Sequence, residues 1–198
     1  DYPTYYLQNF HYQTDGYLSN MSANLYDLQV ELLFNGAADI MRRRILAPLK
    51  MGLEKLVSGQ NSDAIATQKL RVLDIACGTG IPLKFIRATL PKASLYGVDL
   101  SPNYLKKANK LLSEDLGELP QLLQGNAENL HFRAKYFQGI TCVFTFHELP
   151  PIVRQKVLEE AFRVIQPGGV FVICDSIQIC DEPDFATILE NFPAMFHE

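Results

Sequence analysis

The stretch from Val72 to Gly80, with the sequence VLDIACGTG, constrains the fold of this chain more than any other segment. Its aliphatic first half is typical of a buried parallel strand, and its glycine-rich second half is typical of a tight turn. Residues 81–90 then follow a helical pattern that stops before Pro91. A strand that turns directly into a helix begins a β-α unit, and it predicts a parallel sheet.

The same alternation continues along the rest of the chain. Further strands are predicted at 93–98, 120–124, 140–146 and 170–174, and helices at 102–114, 151–165 and within 184–195. Ser101 is predicted to cap the helix that Pro102 begins. The repeated β-α-β order predicts an α/β fold, a doubly wound and mostly parallel sheet with helices on both faces.

The first third of the chain has a different pattern. Residues 1–57 combine an aromatic segment with leucines at helical spacing, and they predict an N-terminal helical cap. The polar residues 58–68 are interpreted as a linker into a main domain at 69–198. The early aromatic and histidine side chains either close over a ligand as a lid or fasten the cap to the sheet. These residues are Tyr5, Tyr6, Phe10, His11, Tyr12 and Tyr17.

Two features at the ends of the first two strands predict a ligand that contains adenosine. Glycines let a backbone approach a ligand closely, and a helix N-terminus attracts a carboxylate or phosphate. Asp99 follows about 20 residues later, where a carboxylate can accept hydrogen bonds from both ribose hydroxyls. A turn that only needs glycine, and an aspartate that only caps the next helix, are the plainer alternatives. A dinucleotide site prefers G-x-G-x-x-G, and Leu83 in place of the third glycine favours S-adenosylmethionine over a pyrophosphate ligand.

Four motifs in this order resemble the class I S-adenosylmethionine-dependent methyltransferase domain, from about Lys69 to Ser176. They are VLDIACGTG at 72–80, YGVDLS at 96–101, GNAENL at 125–130 and FRVIQPGG at 162–169. The resemblance implies a Rossmann-like sheet in the order 3-2-1-4-5, with S-adenosyl-L-methionine as cofactor and S-adenosyl-L-homocysteine as product. The family usually completes a seven-stranded sheet. No strands are evident after the fifth, so we expect the domain to be truncated at its C-terminus.

The resemblance also implies roles for individual residues. Asp74, Gly78 and Gly80 would shape the pocket for the methionine part, and Asp99 would hold the ribose. Asn126 would meet the adenine together with Ala127, while Leu100 packs on its face. Ala76 stands where a glycine is common, which is a small change. Asn126 stands where the family often has Asp, and because an amide oxygen can still accept from the adenine amino group, we expect weaker rather than absent adenine recognition. The predicted cofactor-binding set is Asp74, Ala76, Cys77, Gly78, Thr79, Gly80, Asp99, Leu100, Asn126, Ala127, Glu128 and Phe144.

His147 is the candidate catalytic residue. It follows the fourth predicted strand, and ligands of open α/β sheets bind beyond the carboxyl ends of the strands. If the acceptor is a hydroxyl, a base can remove its proton, and histidine has the appropriate intrinsic pKa. Pocket lining and helix capping are the alternatives for His147. Glu148 is interpreted as a charge at a helix start rather than as a base.

Composition narrows the choice of partners. The net charge of −4 and the scattered basic residues argue against a nucleic acid partner. No apolar run approaches the roughly 18 residues of a membrane span, so no stable membrane insertion is expected. The four cysteines form no CxxC pair, which predicts a reducing, cytoplasmic compartment and no metal site; they are Cys77, Cys142, Cys174 and Cys180. The sequence carries no indication of oligomeric state.

The sequence therefore predicts methyl transfer from S-adenosylmethionine to a small-molecule acceptor. The aromatic residues of the cap are compatible with a flat or apolar acceptor such as a quinone or a phenol. Two alternatives from other classes stay open. One is a non-catalytic S-adenosylmethionine-binding or scaffold protein, and the other is a nicotinamide-dependent oxidoreductase.

Overall fold

A five-stranded parallel sheet forms the centre of the molecule. The structure is a computed structural model that describes residues 2–8, 15–58, 69–114, 117–177 and 181–195. The strands lie in the order β3-β2-β1-β4-β5, and every neighbouring pair is parallel, as predicted. They are β1 (Arg71–Ile75), β2 (Ser94–Asp99), β3 (Gln121–Gln124), β4 (Phe137–Val143) and β5 (Ile165–Cys174).

Helices cover both faces of this sheet. They are α1 (Asn20–Leu33), α2 (Ala38–Arg42), α3 (Leu46–Ser58), α4 (Ile81–Thr89), α5 (Pro102–Ser113), α6 (Pro151–Val164) and α7 (Ala186–Met195). Short 3-10 turns occupy Thr4–Leu7, Arg43–Ile45, Phe146–Glu148 and Pro183–Phe185. The described part of the chain therefore has the predicted doubly wound α/β fold.

The alternating side chains of β1 divide the core into two halves. Val72 points into a cluster with residues of α3, α4 and α5, while Leu73 points into a cluster with residues of α6. Successive side chains of a strand face opposite sides of the sheet, so a continuous apolar run such as β1 needs helices on both faces. All of β4 is buried as well. The buried strands β1 and β4 thus lie between the two helical layers.

Local sequence explains where several helices begin. The Ser101 hydroxyl accepts a hydrogen bond from the backbone N–H of Tyr104, and Pro102 occupies the first helical position of α5. The predicted cap of this helix is therefore confirmed. Ser19 caps α1 in the same way, since its hydroxyl accepts from the N–H of Ser22. Both caps satisfy backbone donors that a helix N-terminus leaves without an intrahelical partner.

The fourth and fifth strands differ from their predicted bounds. Strand β4 begins at Phe137 and ends at Val143, because Phe144 adopts a φ of 53° and turns the chain out of the sheet. Strand β5 begins at Ile165, directly after α6, and includes residues 166–169, which the prediction left between a helix and a strand. Its pairing with β4 is irregular between Phe137 and Gly139, where Pro167-Gly168-Gly169 passes along the sheet. Because of this irregularity, Ile165 and the residues from Val170 onwards both pair with β4 and belong to one strand.

Helix α3 packs on β4 and β5. Its neighbour Ile45 and its own Leu49 and Leu53 belong to the same core cluster as residues of β1 and α4. The segment 1–57 therefore contributes part of the central core. The division into a cap at 1–57 and a domain at 69–198 stays a prediction, and the predicted linker at 59–68 lies outside the described residues.

Candidate functional site

One cavity opens where the carboxyl ends of the strands meet the N-terminal segment. It encloses about 840 Å³, including the part that is open to solvent. Ala76, Asp99, Gly125 and Phe144, at the ends of four different strands, line its floor. Tyrosines line the opposite side; they are Tyr5, Tyr6, Tyr17, Tyr26 and Tyr104. This is the edge of an open α/β sheet at which ligands bind.

The glycine-rich turn and Asp99 are held together. One Asp99 carboxylate oxygen accepts the Gly78 N–H at 2.9 Å, and the other accepts the Ser101 N–H at 2.8 Å. Burial raises the pKa of Asp99, while these two hydrogen bonds lower it. Each carboxylate oxygen has a further lone pair, so the group can accept two more hydrogen bonds from a ligand. Sequence reasoning did not detect that Asp99 also fixes the turn.

The remaining residues of the turn serve its packing. Gly80 has a φ of 86°, and a Cβ atom there would lie 3.0 Å from the Cβ of Ala108 on α5. The Thr79 hydroxyl donates to Asp27 of α1 at 2.8 Å. Cys77 is buried, and a Cβ on Gly97 would meet its sulfur at 2.7 Å. These contacts lock α1, α5 and β2 around the turn.

Asp74 lies below the turn inside β1. Its side chain is 1% exposed and its Oδ1 accepts the Thr141 hydroxyl at 2.6 Å. Its Oδ2 is buried and has no hydrogen-bond partner among the described residues. Burial raises the pKa of Asp74 to about 7, the Thr141 bond opposes this, and the charge of Asp99 adds to it. Asp74 is therefore a carboxyl group that ionises near neutral pH.

Asn126 is oriented by its own segment. Its Oδ1 accepts the backbone N–H of Glu128 at 2.9 Å, and its Nδ2 donates to the Glu128 carboxylate at 3.3 Å. The same carboxylate accepts the Tyr5 hydroxyl at 2.8 Å and the Lys156 ammonium at 3.1 Å. Glu128 thus connects the turn after β3 with the N-terminal segment and with α6.

His147 belongs to a chain of charged groups beside the cavity. Its Nδ1 lies 2.7 Å from Asp175 Oδ1, and its Nε2 lies 3.5 Å from Glu148 Oε1. Burial alone lowers the pKa of His147, but the hydrogen bonds to Asp175 and Glu148 outweigh it and raise the pKa to about 10. Burial alone would raise the pKa of Asp175, but bonds from His147 and from backbone N–H groups lower it to about 2. His147 is therefore a cation between two carboxylates at neutral pH.

About half of the predicted site residues line the cavity. They are Ala76, Gly78, Asp99, Leu100, Asn126, Ala127 and Phe144. The other predicted residues stand behind it; they are Asp74, Cys77, Thr79, Gly80, Glu128 and His147. Glu148 and Thr145 line the cavity although the sequence did not single them out for it. Their position directly after the fourth strand indicated that this segment lies near the ligand. It did not indicate which of the side chains in the segment line the cavity. Of the six early residues, Phe10, His11 and Tyr12 lie outside the described residues.

Comparison with known proteins identifies the family. The methyltransferase-domain family matches residues 72–169, which include all four motifs and the floor of the cavity. The chain belongs to the class I S-adenosylmethionine-dependent methyltransferase family. Two solved structures share the fold of this methyltransferase domain. The YcgJ protein of Bacillus subtilis is 25% identical, with a TM-score of 0.52, over 72% of this chain and 58% of that chain. The PH0226 protein of Pyrococcus horikoshii is 23% identical, with a TM-score of 0.53, over 71% of this chain and 61% of that chain.

Two curated relatives resemble this methyltransferase domain in sequence. A demethylmenaquinone methyltransferase of Desulfitobacterium hafniense is 30% identical over 173 residues, which are 83% of this chain and 65% of that protein. A carboxy-S-adenosyl-L-methionine synthase of Chromohalobacter salexigens is 30% identical over 135 residues, which are 65% of this chain and 49% of that protein. The matched region thus spans about half to two thirds of these relatives. Every helix in the described part of the chain is too short or too polar to cross a bilayer.

Proposed function

We propose that this chain binds S-adenosylmethionine in the cavity and transfers its methyl group to a small-molecule acceptor. The observation that carries the proposal is the Asp99 carboxylate, which lines the cavity beside the glycine-rich turn. The family uses S-adenosylmethionine. Of two relatives at 30% identity, one is named as a demethylmenaquinone methyltransferase and the other as a carboxy-S-adenosyl-L-methionine synthase. When bound, the cofactor supplies a methyl group on a positively charged sulfur.

The residues of the cavity fit the parts of this cofactor. Asp99 can accept the two ribose hydroxyls with its remaining lone pairs. Asn126 and Ala127 line the part of the cavity after β3, where we assign the adenine. Because Asn126 Oδ1 already accepts the Glu128 N–H, we expect a single further hydrogen bond there. We assign the methionine carboxylate to the N-terminus of α4, where a helix leaves backbone N–H groups without an intrahelical partner, because the Gly78 N–H is already donated to Asp99.

We propose that the remaining predicted residues support the walls of the cavity and do not contact the cofactor. Cys77, Thr79 and Gly80 shape the turn, and Asp74 lies beneath it. We propose that His147 positions its neighbours instead of acting as a base, because its raised pKa leaves it protonated at neutral pH. A protonated imidazole has no free lone pair with which to take a proton.

The aromatic lining supports a flat or apolar acceptor such as a phenol or a quinol. Aromatic walls bury such molecules with favourable ring contacts. Transfer of a labelled methyl group from S-adenosylmethionine to a panel of phenols and hydroquinones tests the acceptor class. Transfer to polar amines only would contradict it.

We infer a cytoplasmic location from the cysteine spacing alone, and the absence of a nucleic acid partner from the acidic charge alone.

The substitution Asp99→Asn tests the cofactor site. It removes the charge that accepts the ribose hydroxyls, and hydrogen bonds to a charged group contribute about 1.5–3 kcal/mol each. We expect the affinity for S-adenosylhomocysteine, measured by calorimetry, to fall roughly 30-fold or more. Asp184→Asn, at an exposed aspartate, is the matched control. Thermal unfolding without ligand separates lost binding from lost folding. Unchanged affinity in a folded Asp99→Asn protein would contradict the ribose assignment.

A further inference from the structure

Among the described residues that line the cavity, some side chains are negative and none is positive. Asp99 and Glu148 are the charged residues among the described residues that line it, and the rest are tyrosines, small residues and apolar residues. A second negative charge inside such an apolar space is unfavourable, because Coulomb repulsion is weakly screened there. The cavity therefore favours a neutral acceptor over a carboxylate or a phosphate.

Glu148 is held in a fixed position at the wall. Its side chain is 12% exposed, and its Oε1 accepts the Tyr17 hydroxyl at 2.7 Å. The same oxygen lies 3.5 Å from His147 Nε2. Asp175 holds the other ring nitrogen at 2.7 Å, so the imidazole cannot turn away from Glu148. A carboxylate is tolerated in a largely apolar cavity when such a cation lies beside it.

Asp175 is itself fixed by the backbone. It accepts the N–H groups of Thr145 at 2.7 Å and of Phe146 at 2.6 Å. The end of β4 and the end of β5 are therefore tied together at the point where Glu148 enters the cavity. The pair His147–Asp175 acts on the cavity through Glu148, because neither member lines it.

We propose that Glu148 is a catalytic residue that takes the proton of the acceptor, and that the acceptor is a neutral molecule with an O–H or N–H group. This rests on the methyl transfer proposed above. The acceptor oxygen or nitrogen uses a lone pair to bond the methyl carbon, and the carbon–sulfur bond breaks with its electron pair on sulfur. The acceptor proton passes to the Glu148 carboxylate and from there to water. His147 is a positioning residue that keeps Glu148 at the wall.

Titratable groups face Glu148 from both sides of the cavity wall. Tyr17 and Tyr26 face it from the N-terminal side. His147 faces it from the sheet side, with Asp175 behind the imidazole. Loss of the imidazole charge removes a positive charge beside Glu148, while the Asp175 carboxylate stays nearby. The cavity then becomes more negative.

The ionisation of a bound phenol tests the proposal without turnover. The probe is 4-nitrophenol, whose neutral and ionised forms absorb at different wavelengths, added to the protein with S-adenosylhomocysteine. We expect the unchanged protein to bind the neutral form in preference to the ionised one. Glu148→Gln should reduce this preference about tenfold or more, because it removes the like charge. Glu159→Gln, at an exposed glutamate of α6, should leave the preference unchanged.

His147→Gln separates this role from a merely structural one. It removes a positive charge, so it should increase the preference for the neutral phenol, whereas Glu148→Gln should decrease it. Damage to the local fold would move both variants in the same direction. If Glu148→Gln does not fold, Glu148→Asp keeps the charge with a shorter side chain and should keep the preference for the neutral form. In the transfer assay, Glu148→Gln should lower kcat roughly 10²- to 10⁴-fold.

Several results would overturn the proposal. They are binding of the ionised phenol by the unchanged protein, no binding of either form, an unchanged preference in Glu148→Gln, or a kcat within about threefold of the unchanged protein. Calorimetry with S-adenosylhomocysteine separates this failure from that of the proposed function. If the unchanged protein binds no S-adenosylhomocysteine, both proposals fall. If binding is intact and the phenol results disagree, only the role of Glu148 falls.

Discussion

Asp74 makes the stability of this protein depend on pH near neutrality. Its folded pKa of about 7 lies above the ordinary 3.8, so the folded state favours the protonated carboxyl. Stability is therefore lost as pH rises from about 4 to about 7, where the folded group ionises. The cause is burial within β1, where Thr141 provides a single hydrogen bond.

The substitution Asp74→Asn should remove this loss. An amide cannot ionise, and its oxygen can still accept the Thr141 hydroxyl. We expect urea unfolding to give the variant a free energy of unfolding roughly 2–4 kcal/mol higher than that of the unchanged protein at pH 8. The difference should shrink at pH 5. Asp184→Asn is the exposed control, and equal differences at both pH values would contradict the account.

At this scale the sequence predicted positions better than roles. Asp99 was predicted to hold a ligand, and the structure has it lining the cavity while it also binds Gly78 and Ser101. His147 was a candidate base, with pocket lining and helix capping as alternatives, but its protonation depends on Asp175, which follows β5 and lies 28 positions away in the chain. Asp175 lies beside His147 because β4 and β5 pair with each other, and a local sequence pattern does not predict such a contact.

Among the elements, the turn between β1 and α4 shows why glycine is required at one position. Gly80 combines a φ of 86° with close packing, because a Cβ would lie 3.0 Å from Ala108 Cβ and 3.1 Å from Leu112 Cδ1. Both atoms belong to α5, so Gly80 sets how closely α5 approaches the turn. Gly36 has a similar φ of 80° but nothing within 4 Å of such a Cβ.

These two glycines form a matched pair for mutation. Gly36→Ala should lower the free energy of unfolding by about 1 kcal/mol, from backbone strain alone. Gly80→Ala adds overpacking against α5, and we expect a loss of roughly 2–4 kcal/mol. Urea unfolding of both variants provides the measurement. Equal losses would show that packing at Gly80 contributes nothing.

The elements also show what a sequence pattern resolves. Strand β2 agrees with its predicted range to within one residue, since it ends just before the cap of α5. The end of β4 was displaced because Phe144 leaves the sheet through a left-handed conformation that phenylalanine rarely adopts. Strand β5 begins five residues before its predicted start, since it also includes Pro167-Gly168-Gly169. The start of β5 depends on its pairing with β4, which a local sequence pattern does not show.

On the scale of the whole molecule, the N-terminal segment is joined to the sheet at several points. Helix α3 contributes to the core, Thr79 binds Asp27 of α1, and Tyr5 binds Glu128. The β-α alternation predicted a parallel sheet, and the resemblance of the motifs to the methyltransferase domain implied its strand order. The position of the N-terminal segment could not be predicted, because its contacts join residues as far as 133 positions apart. Its tyrosines line the cavity and also fasten the segment to it.

Ligand binding should therefore stabilise the whole molecule. A ligand at about 100 times its dissociation constant adds roughly 2.7 kcal/mol to the free energy of unfolding. For a chain of this size, this corresponds to a rise in Tm of roughly 5–10 °C. We expect a single unfolding transition to move to the higher temperature, because the cavity is built from strand ends and from the N-terminal segment together.

The most direct test of the account is thermal unfolding with S-adenosylmethionine, with S-adenosylhomocysteine and with NAD, in parallel. We predict a rise in Tm with the first two ligands and none with NAD. Asp99→Asn should remove most of the rise, and Asp184→Asn should retain it. A rise with NAD alone, or no rise with any of the three ligands, would contradict the assignment of this cavity to S-adenosylmethionine.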